Sequence, residues 1–586
     1  MKGAPAIPPK YETLNAMLAA AAQSRESLIF VNRREQEEAV SMARIRQRAL
    51  SIAADLMDRG VRKGDRVALV LPTSPQFVET LFGVLLAGAI PVPVYPPFRL
   101  GKLDEYHAKT TAMLKAVSAV MVVTDERIRR LLGFAVEAAA PSLGCVTASG
   151  LGGKDSGETE VAADAVALIQ FSSGTTNDPK PVALSHANLL SNLAAIEPLV
   201  TRPGRRDVGV TWLPLYHDMG LIGNLFSSFY IPATLVLLPP ELFVGRPAIW
   251  LRAISRHRGT ISAAPNFAFG LCLKRIRDDE LDGVDLSSWS VCLNGAEAIS
   301  AEVQRLFTER FERWGFRAEA LTPCYGMAEA SLALTFKPSD TAFRSLGVDT
   351  EKLALDGIVE PGSNELVSVG RPVAGVEVEI RDDNGVALPP GRVGHVHVRG
   401  PSVMAGYFGR ADLTYQALAD GWLKTGDLGF VYDDELFVCG RQKDIIIVRG
   451  ANHAPEEFES VLDTLDGVRT GCTVAIGFIP EGEHDEALAM LVETAGEESP
   501  TLGDEVASLL EERTGIRPAQ VELLAPGTLP RTSSGKLRRR EARAQWLAGT
   551  LAPPKKVSAA GLLVEAAHGE LRHTRATFAR LLAKKS

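Results

Sequence analysis

At 586 residues and 62.9 kDa the chain exceeds any single small binding module and has room for several domains or for one large α/β unit with additions. A formal charge of -8 with 46% hydrophobic residues describes an ordinary folded chain and excludes one built mainly to grip nucleic acid, while leaving small anions as ligands. Six cysteines never closer than 20 positions exclude a CxxC metal or redox pair and read as reduced core residues.

The opening MKGAPAIPPK has no apolar secretion-signal segment, so a cytoplasmic address is expected. Arg66–Leu71 predicts a strand, Pro75–Ala87 a helix and Val120–Thr124 a second strand. The most apolar stretch, 77–95, contains Glu79 and is followed by prolines, which suits a buried helix and strand and predicts no membrane crossing. Further strands are expected at Val166–Phe171, Gly209–Leu213, Thr260–Ala264 and Ser290–Leu293, so the fold class is α/β, with ligand sites expected at strand ends by fold-level analogy.

Beyond about Glu365, short alternating strands (Val376–Ile380, Val393–Val398) separated by Asp, Asn, Gly and Pro predict a small antiparallel barrel or sheet. The segment 344–368 reads as an insertion or long surface excursion. A boundary at Gly440–Asp444 divides a large N-terminal domain, 1–442, from a small α+β domain, 443–550. The tail, 551–586, carries seven Lys or Arg against two Glu and reads as a solvated terminal helix, with a basic docking arm as the alternative.

The densest local signal is IQFSSGTTNDPKPVALSHANL, 169–189, an apolar strand running into a hydroxyl- and glycine-rich loop with Lys180 before a helix. Glycine permits a tight turn, and hydroxyls, backbone N–H groups and an ammonium can surround phosphate oxygens, although an ordinary polar turn remains open. The spacing is neither a P-loop nor a dinucleotide fingerprint. The loop is followed in order by TWLPLYHDMGLIG at 211–223, LNGAEAI at 293–299, CYGMAEA at 324–330, WLKTGDLGF at 422–430, GRQKDIIIVRG at 440–450 and LPRTSSGKLRR at 529–539.

As a set, these motifs resemble the adenylate-forming superfamily of acyl-CoA synthetases, adenylation domains and luciferases over about residues 15–545. LPLYHDMGLIG, PCYGMAEASLALTF and the excursion at 344–368 resemble its fatty acyl-AMP ligases. The resemblance implies a layered α/β N-terminal domain with an antiparallel barrel and a mobile C-terminal domain carrying a catalytic lysine. It implies attack of a carboxylate on the α-phosphorus of ATP, giving acyl-AMP and pyrophosphate with Mg2+, so positioning and cations should dominate over proton transfer. Transfer to the phosphopantetheine thiol of a separate acyl carrier protein would follow, with free coenzyme A as the competing acceptor. A medium or long fatty acid is the implied substrate, an aromatic acid the alternative, and a catalytically silent nucleotide-binding scaffold the contrasting class.

By the same resemblance, Ser173, Gly174, Thr175, Thr176 and Lys180 embrace phosphate; Asn294, Gly295, Ala296 and Tyr325 form the adenine pocket; and Asp427 and Arg441 meet the ribose. Glu329 is the magnesium ligand, Lys536 the catalytic lysine and His217 a residue near the acyl carboxylate. Lys443 is the hinge, Gly450, Ala451 and Asn452 flank thiol entry, and Phe267, Phe269 and Phe336 are candidate walls of the acyl pocket. One departure stands out: Pro181 occupies a position where the family usually has glycine.

Overall fold

The computed structural model describes residues 1–586 apart from 98–102, 155–156, 173–178, 339–340, 449–450, 464, 481–482, 484, 497–499, 533–534, 555–558 and 584–586. Among the described residues, a nine-stranded sheet organises the large N-terminal domain, in the order Arg371–Pro372, Ala333–Phe336, Leu321–Gly326, Val291–Asn294, Ile261–Ala264, Val208–Thr211, Thr234–Leu237, Ser27–Val31 and Glu37–Ser41. Its inner strands pair in parallel and the outer ones antiparallel. Parallel strands need crossovers, and the crossing helices cover both faces. Ala248–His257, Asn266–Arg275 and Ala301–Phe311 cover one face through Trp250, Phe269 and Phe307, while His186–Val200 and the turn Leu221–Phe226 cover the other.

A four-stranded parallel sheet, in the order Ile90–Pro93, Arg66–Val70, Met121–Thr124 and Gly144–Thr147, lies beside it. The helix Pro75–Leu86 starts where Ser74 accepts the Phe77 N–H at 3.3 Å, and it is mostly apolar with every residue from Phe77 to Leu86 buried, Glu79 and Thr80 included. Strand Val166–Phe171 pairs with Pro181–Ser185, so the departing proline opens a strand, where a missing donor costs little, and its carbonyl accepts from Phe408 N at 2.7 Å. Glu377–Arg381, Gly394–Arg399, Trp422–Tyr432 and Glu435–Arg441 form the antiparallel layer.

The segment 344–368 is more regular than its loop-like sequence suggests. Ser345–Val348 and Asn364–Val367 pair antiparallel around the helix Thr350–Asp356, anchored by Val348 against Phe430 and Phe437. The small C-terminal domain holds the hairpin Ile446–Val448 with Ala451–His453, then a three-stranded sheet of Val468–Phe478, Ala487–Thr494 and Gln520–Leu524.

The tail departs from the solvated reading. Its helix, Ala559–Ala583, docks on the N-terminal helix Glu126–Ala139, where Arg129 holds Glu570 at 3.0 Å, Arg572 holds Glu137 at 2.8 Å and the buried His573 ring lies 2.6 Å from the Arg129 carbonyl. Close approach comes from a glycine pair: a Cβ on Gly569 would stand 1.7 Å from the Arg130 carbonyl oxygen, and one on Gly133 would stand 2.4 Å from the Gly569 oxygen. A contact made by absent side chains leaves no apolar stripe, which is why the charge count suggested solvation. Gly569→Val is expected to detach the helix, at a cost of about 1–3 kcal/mol to its docking, and to speed proteolysis of the tail while the rest of the chain stays resistant. Unchanged cleavage would show that the glycine contact does not hold the tail.

His186 is structural. Its Nδ1 accepts the Leu14 N–H at 3.1 Å, and burial lowers its pKa from 6.5 to about 4. The unfolded chain therefore binds a proton that the folded chain refuses. Stability from this site is complete above about pH 6.5 and falls as pH drops toward 4, by on the order of 3 kcal/mol. His186→Asn, whose Oδ1 can accept the same N–H, is expected to flatten the acid-side decline of Tm; an unaltered slope would assign that decline to other groups.

Candidate active site

The site forms at the C-terminal ends of the parallel strands, where the chain leaves the sheet and backbone and side chains converge. The loop after Val208–Thr211 brings Asp218 to the cavity with His217 beside it, the end of Val291–Asn294 brings Ala296 with Asn294 and Gly295 behind the lining, and Leu321–Gly326 brings Tyr325. The antiparallel layer adds Asp427 and Arg441, which are paired across neighbouring strands. Lys536 arrives from the C-terminal domain. A cavity of about 1440 Å3 is lined by Lys180, Asp218, Ala296, Tyr325, Glu329, Asp427, Arg441 and Lys536 together.

On the nucleotide side, the Tyr325 hydroxyl donates to Asp427 Oδ2 at 2.6 Å, and Arg441 Nε lies 3.3 Å from Asp427 Oδ1. Burial raises the Asp427 pKa, against the pull of Arg441 and the Tyr325 hydroxyl. Burial and the adjoining Asp427 carboxylate push the Tyr325 phenol well above its ordinary value, so it stays a proton donor. Asn294 is fully buried; its Nδ2 reaches Asn266 Oδ1 at 3.4 Å while its own Oδ1 has no partner among the described residues. Such an orphaned acceptor is costly, and because Asn294 does not line the cavity it lies behind the site rather than in it. Gly295 leaves a cradle: a Cβ there would stand 2.9 Å from the Cys324 carbonyl oxygen, and Ala296 turns the chain at φ 73°.

Glu329 is buried, and its Oε1 accepts the Tyr407 hydroxyl at 2.9 Å. Glu329 lines the cavity, and its carboxylate is a hard oxygen donor fitting a divalent ion such as Mg2+. Lys180 Nζ sits 5.6 Å from the centre of the Tyr407 ring, so one tyrosine touches both the acid and the cation. Ser173, Gly174, Thr175 and Thr176, the remainder of the phosphate loop, and Gly450 lie outside the described residues.

Lys536 N donates to Thr532 Oγ1 at 3.0 Å and its carbonyl accepts from Thr532 N at 2.7 Å, a tight turn that carries the side chain inward. Burial lowers the pKa of its ammonium, opposed by Asp218, Glu297 and Asp427. Asp218 Oδ1 lies 2.6 Å from His217 Nδ1 and accepts the Met219 N–H at 2.7 Å. Burial drives the Asp218 pKa upward, but His217, Lys536 and that N–H hold it down at about 2. The carboxylate is thus a fixed negative charge between an imidazole and an ammonium.

Lys443 lies in the short turn Gln442–Asp444 joining the two domains and also lines the cavity. Ala451 is buried in the following hairpin and Asn452 faces outward from it. Phe267 and Phe336 line the cavity, but Phe269 does not serve as a pocket wall: it is fully buried in the aromatic core, edge-on to Phe307 at 5.0 Å.

Comparison with known proteins accounts for this arrangement. Residues 18–408 match the family described as AMP-binding enzyme. Over 558 residues the chain is 34% identical to a putative acyl-CoA synthetase of Caulobacter vibrioides, covering 92% of this chain and 96% of that one. The chain belongs to the AMP-binding enzyme family. It is also 31% identical to the medium-chain-fatty-acid–[acyl-carrier-protein] ligase JamA of Moorena producens, over 90% of this chain and 93% of JamA. A solved structure from the fatty acyl-adenylate ligases of E. coli and L. pneumophila superposes with a TM-score of 0.86 at 33% identity, covering 92% of this chain and 99% of that one. Within the AMP-binding enzymes it is a fatty acyl-AMP ligase.

For an AMP-binding enzyme of this branch, sequence reasoning missed three site groups. Asp218 stood inside the quoted YHDMG and carried no assigned role; its signal was a carboxylate next to the assigned histidine. Tyr407, in AGYFGR, gave no signal, because its contact with Glu329 spans 78 positions. Glu297, within LNGAEAI, accepts the Phe267 N–H at 2.7 Å and ties two strand ends together. Among the described residues no helix is long and apolar enough to cross a membrane.

Proposed function

We propose that the chain uses ATP to convert a medium or long fatty acid into its acyl-AMP, releasing pyrophosphate, and then passes the acyl group to the phosphopantetheine thiol of a separate acyl carrier protein. The observation that carries this reading is the convergence of Lys536, from the small domain, with Asp218, Glu329 and Asp427 on one cavity that continues into an apolar arm. JamA, by its name, acts on a medium-chain fatty acid and an acyl carrier protein, which supports the same acceptor class here.

In this mechanism Tyr325 and the Asn294–Ala296 turn hold adenine, and Asp427 with Arg441 holds the ribose. Lys180 and the hydroxyl loop hold the outer phosphates. A magnesium ion held at Glu329 would neutralise phosphate charge. A carboxylate oxygen of the fatty acid forms a bond to the α-phosphorus as the bond from that phosphorus to the bridging oxygen breaks, and the electron pair leaves with pyrophosphate. The Lys536 ammonium balances charge between carboxylate and α-phosphate, and His217, fixed by Asp218, orients the acid.

In the second half, the thiol sulfur attacks the acyl carbonyl carbon, the bond to the AMP oxygen breaks and the thiol proton goes to solvent. Thiol access requires the small domain to turn about Lys443. The helix Thr350–Asp356 packs against Ala451–His453, so the excursion is positioned to restrict that turning and favour a carrier over free coenzyme A. The test incubates the protein with ATP, Mg2+ and a fatty-acid panel, with coenzyme A or a carrier protein bearing a free phosphopantetheine thiol, and follows acyl-AMP and both thioesters by mass spectrometry. Acyl-AMP and carrier thioester are expected. Rapid acyl-CoA formation without carrier loading would replace the acceptor, and ATP binding with no acyl-AMP from any acid would leave a silent scaffold.

A further inference from the structure

The apolar arm of the cavity runs between the nine-stranded sheet and the helices over it, past small residues such as Gly209, Gly223 and Ala263. Its polar groups share one property. Asn224, only 7% exposed, sits in the π-helical turn Leu221–Phe226, a backbone irregularity found most often at functional sites. Its Nδ2 donates to the Met219 carbonyl at 2.7 Å. A carbonyl can only accept, so the amide nitrogen must face Met219 and Oδ1 must be the atom left for the cavity. No donor among the described residues meets that oxygen, and it is not sealed in the protein interior.

Four hydroxyl groups of the arm have committed their protons. Ser227 donates to the Ile222 carbonyl at 3.3 Å, Ser228 to the Leu225 carbonyl at 2.7 Å, Thr201 to the Glu197 carbonyl at 2.9 Å and Thr234 to Glu26 Oε2 at 2.5 Å. At the far end, Asp207 accepts at Oδ1 from Arg205 and Thr260. Among the described residues, the hydroxyl protons of the arm are therefore spoken for, while Asn224 Oδ1 is an acceptor that no protein donor meets. An all-hydrocarbon chain would strip water from Asn224 Oδ1 and give nothing in return.

Resting on the adenylation reading above, we propose that the preferred acid carries a hydrogen-bond donor on its chain, a hydroxyl group, read by Asn224 Oδ1. Asn224 lies six residues beyond Asp218 in a helical run, roughly 9 Å along its axis, so the hydroxyl belongs several carbons from the carboxylate rather than beside it. A site that hydrogen-bonds a hydroxyl rejects the analogue lacking it because the buried partner is then left unpaired.

The test is a competition, measured as kcat/KM for acyl-AMP formation with the full chain, between an unsubstituted fatty acid and its mono-hydroxy positional isomers of equal length. One isomer is expected to win by about tenfold or more, and Asn224→Leu is expected to bring that ratio close to one. A wild-type protein that uses every isomer no better than the plain acid overturns the proposal without any variant, so a poorly folded Asn224→Leu cannot rescue it. An Asn224→Leu protein of unchanged Tm that keeps the tenfold ratio overturns the assignment to Asn224. If no acid of either kind yields acyl-AMP while ATP still binds, the adenylation reading itself fails, a pattern distinct from the other two.

Discussion

Lys536→Ala is expected to reduce acyl-AMP formation by roughly 10²–10³-fold, the usual loss when one preorganised charge at a reacting centre is removed, while ATP binding changes little. The reason lies in where the lysine sits. It enters from the small domain on a turn tied by two hydrogen bonds to Thr532, and among the charges around its buried ammonium Asp218 acts most strongly, ahead of Arg441, Glu297 and Asp427. It should therefore contribute when charge moves between carboxylate and phosphate and little when nucleotide first binds. Because burial lowers its pKa below that of an ordinary lysine, the adenylation rate should decline on the alkaline side earlier than a free lysine would dictate. Single-turnover pyrophosphate release, set beside a nucleotide-binding titration, separates the two effects. Unchanged single-turnover adenylation would remove Lys536 from the chemistry.

The same lysine illustrates what a sequence can disclose. The strands at 166–171, 208–211, 261–264 and 291–294 are legible because short aliphatic runs end in polar turns, and parallel sheets place such turns at one edge. Lys536, Glu329 and Asp427 were singled out through the resemblance of their runs to family motifs, and the structure brings all three onto one cavity. What lies between the runs is not legible. The Tyr325 hydroxyl meets Asp427 across 102 positions, and no periodicity in either strand reports that pairing. Asn224 sits in GLIGNLF, which reads as an apolar helix; only the direction of its amide, set by the Met219 carbonyl, marks it as a polar group aimed into a cavity. The docked tail was hidden for the opposite reason, since Gly133 and Gly569 act by lacking side chains.

Glu329→Gln is expected to lower adenylation by roughly 10²-fold at ordinary magnesium and to shift the metal requirement upward, because the substitution keeps size and shape but removes the charge that a hard cation needs. The surroundings make this a discriminating change. Glu329 Oε1 accepts the Tyr407 hydroxyl at 2.9 Å, a bond that a glutamine oxygen can also accept, and the Glu329 carbonyl accepts Met404 N at 2.8 Å, so the fold around it should persist. Tyr407 in turn lies under the Lys180 ammonium, which links the acid to the phosphate loop through one ring. Tyr407→Phe removes the hydroxyl alone and, acting only through the orientation of Glu329, should cost about 10–100-fold, with a higher magnesium requirement and little change in fatty-acid KM. Pyrophosphate release measured across a magnesium titration distinguishes these outcomes. A Glu329→Gln enzyme with the wild-type magnesium midpoint would place the metal on other ligands. A Tyr407→Phe enzyme that lost rate with no change in that midpoint would make the tyrosine a packing residue rather than a positioning one.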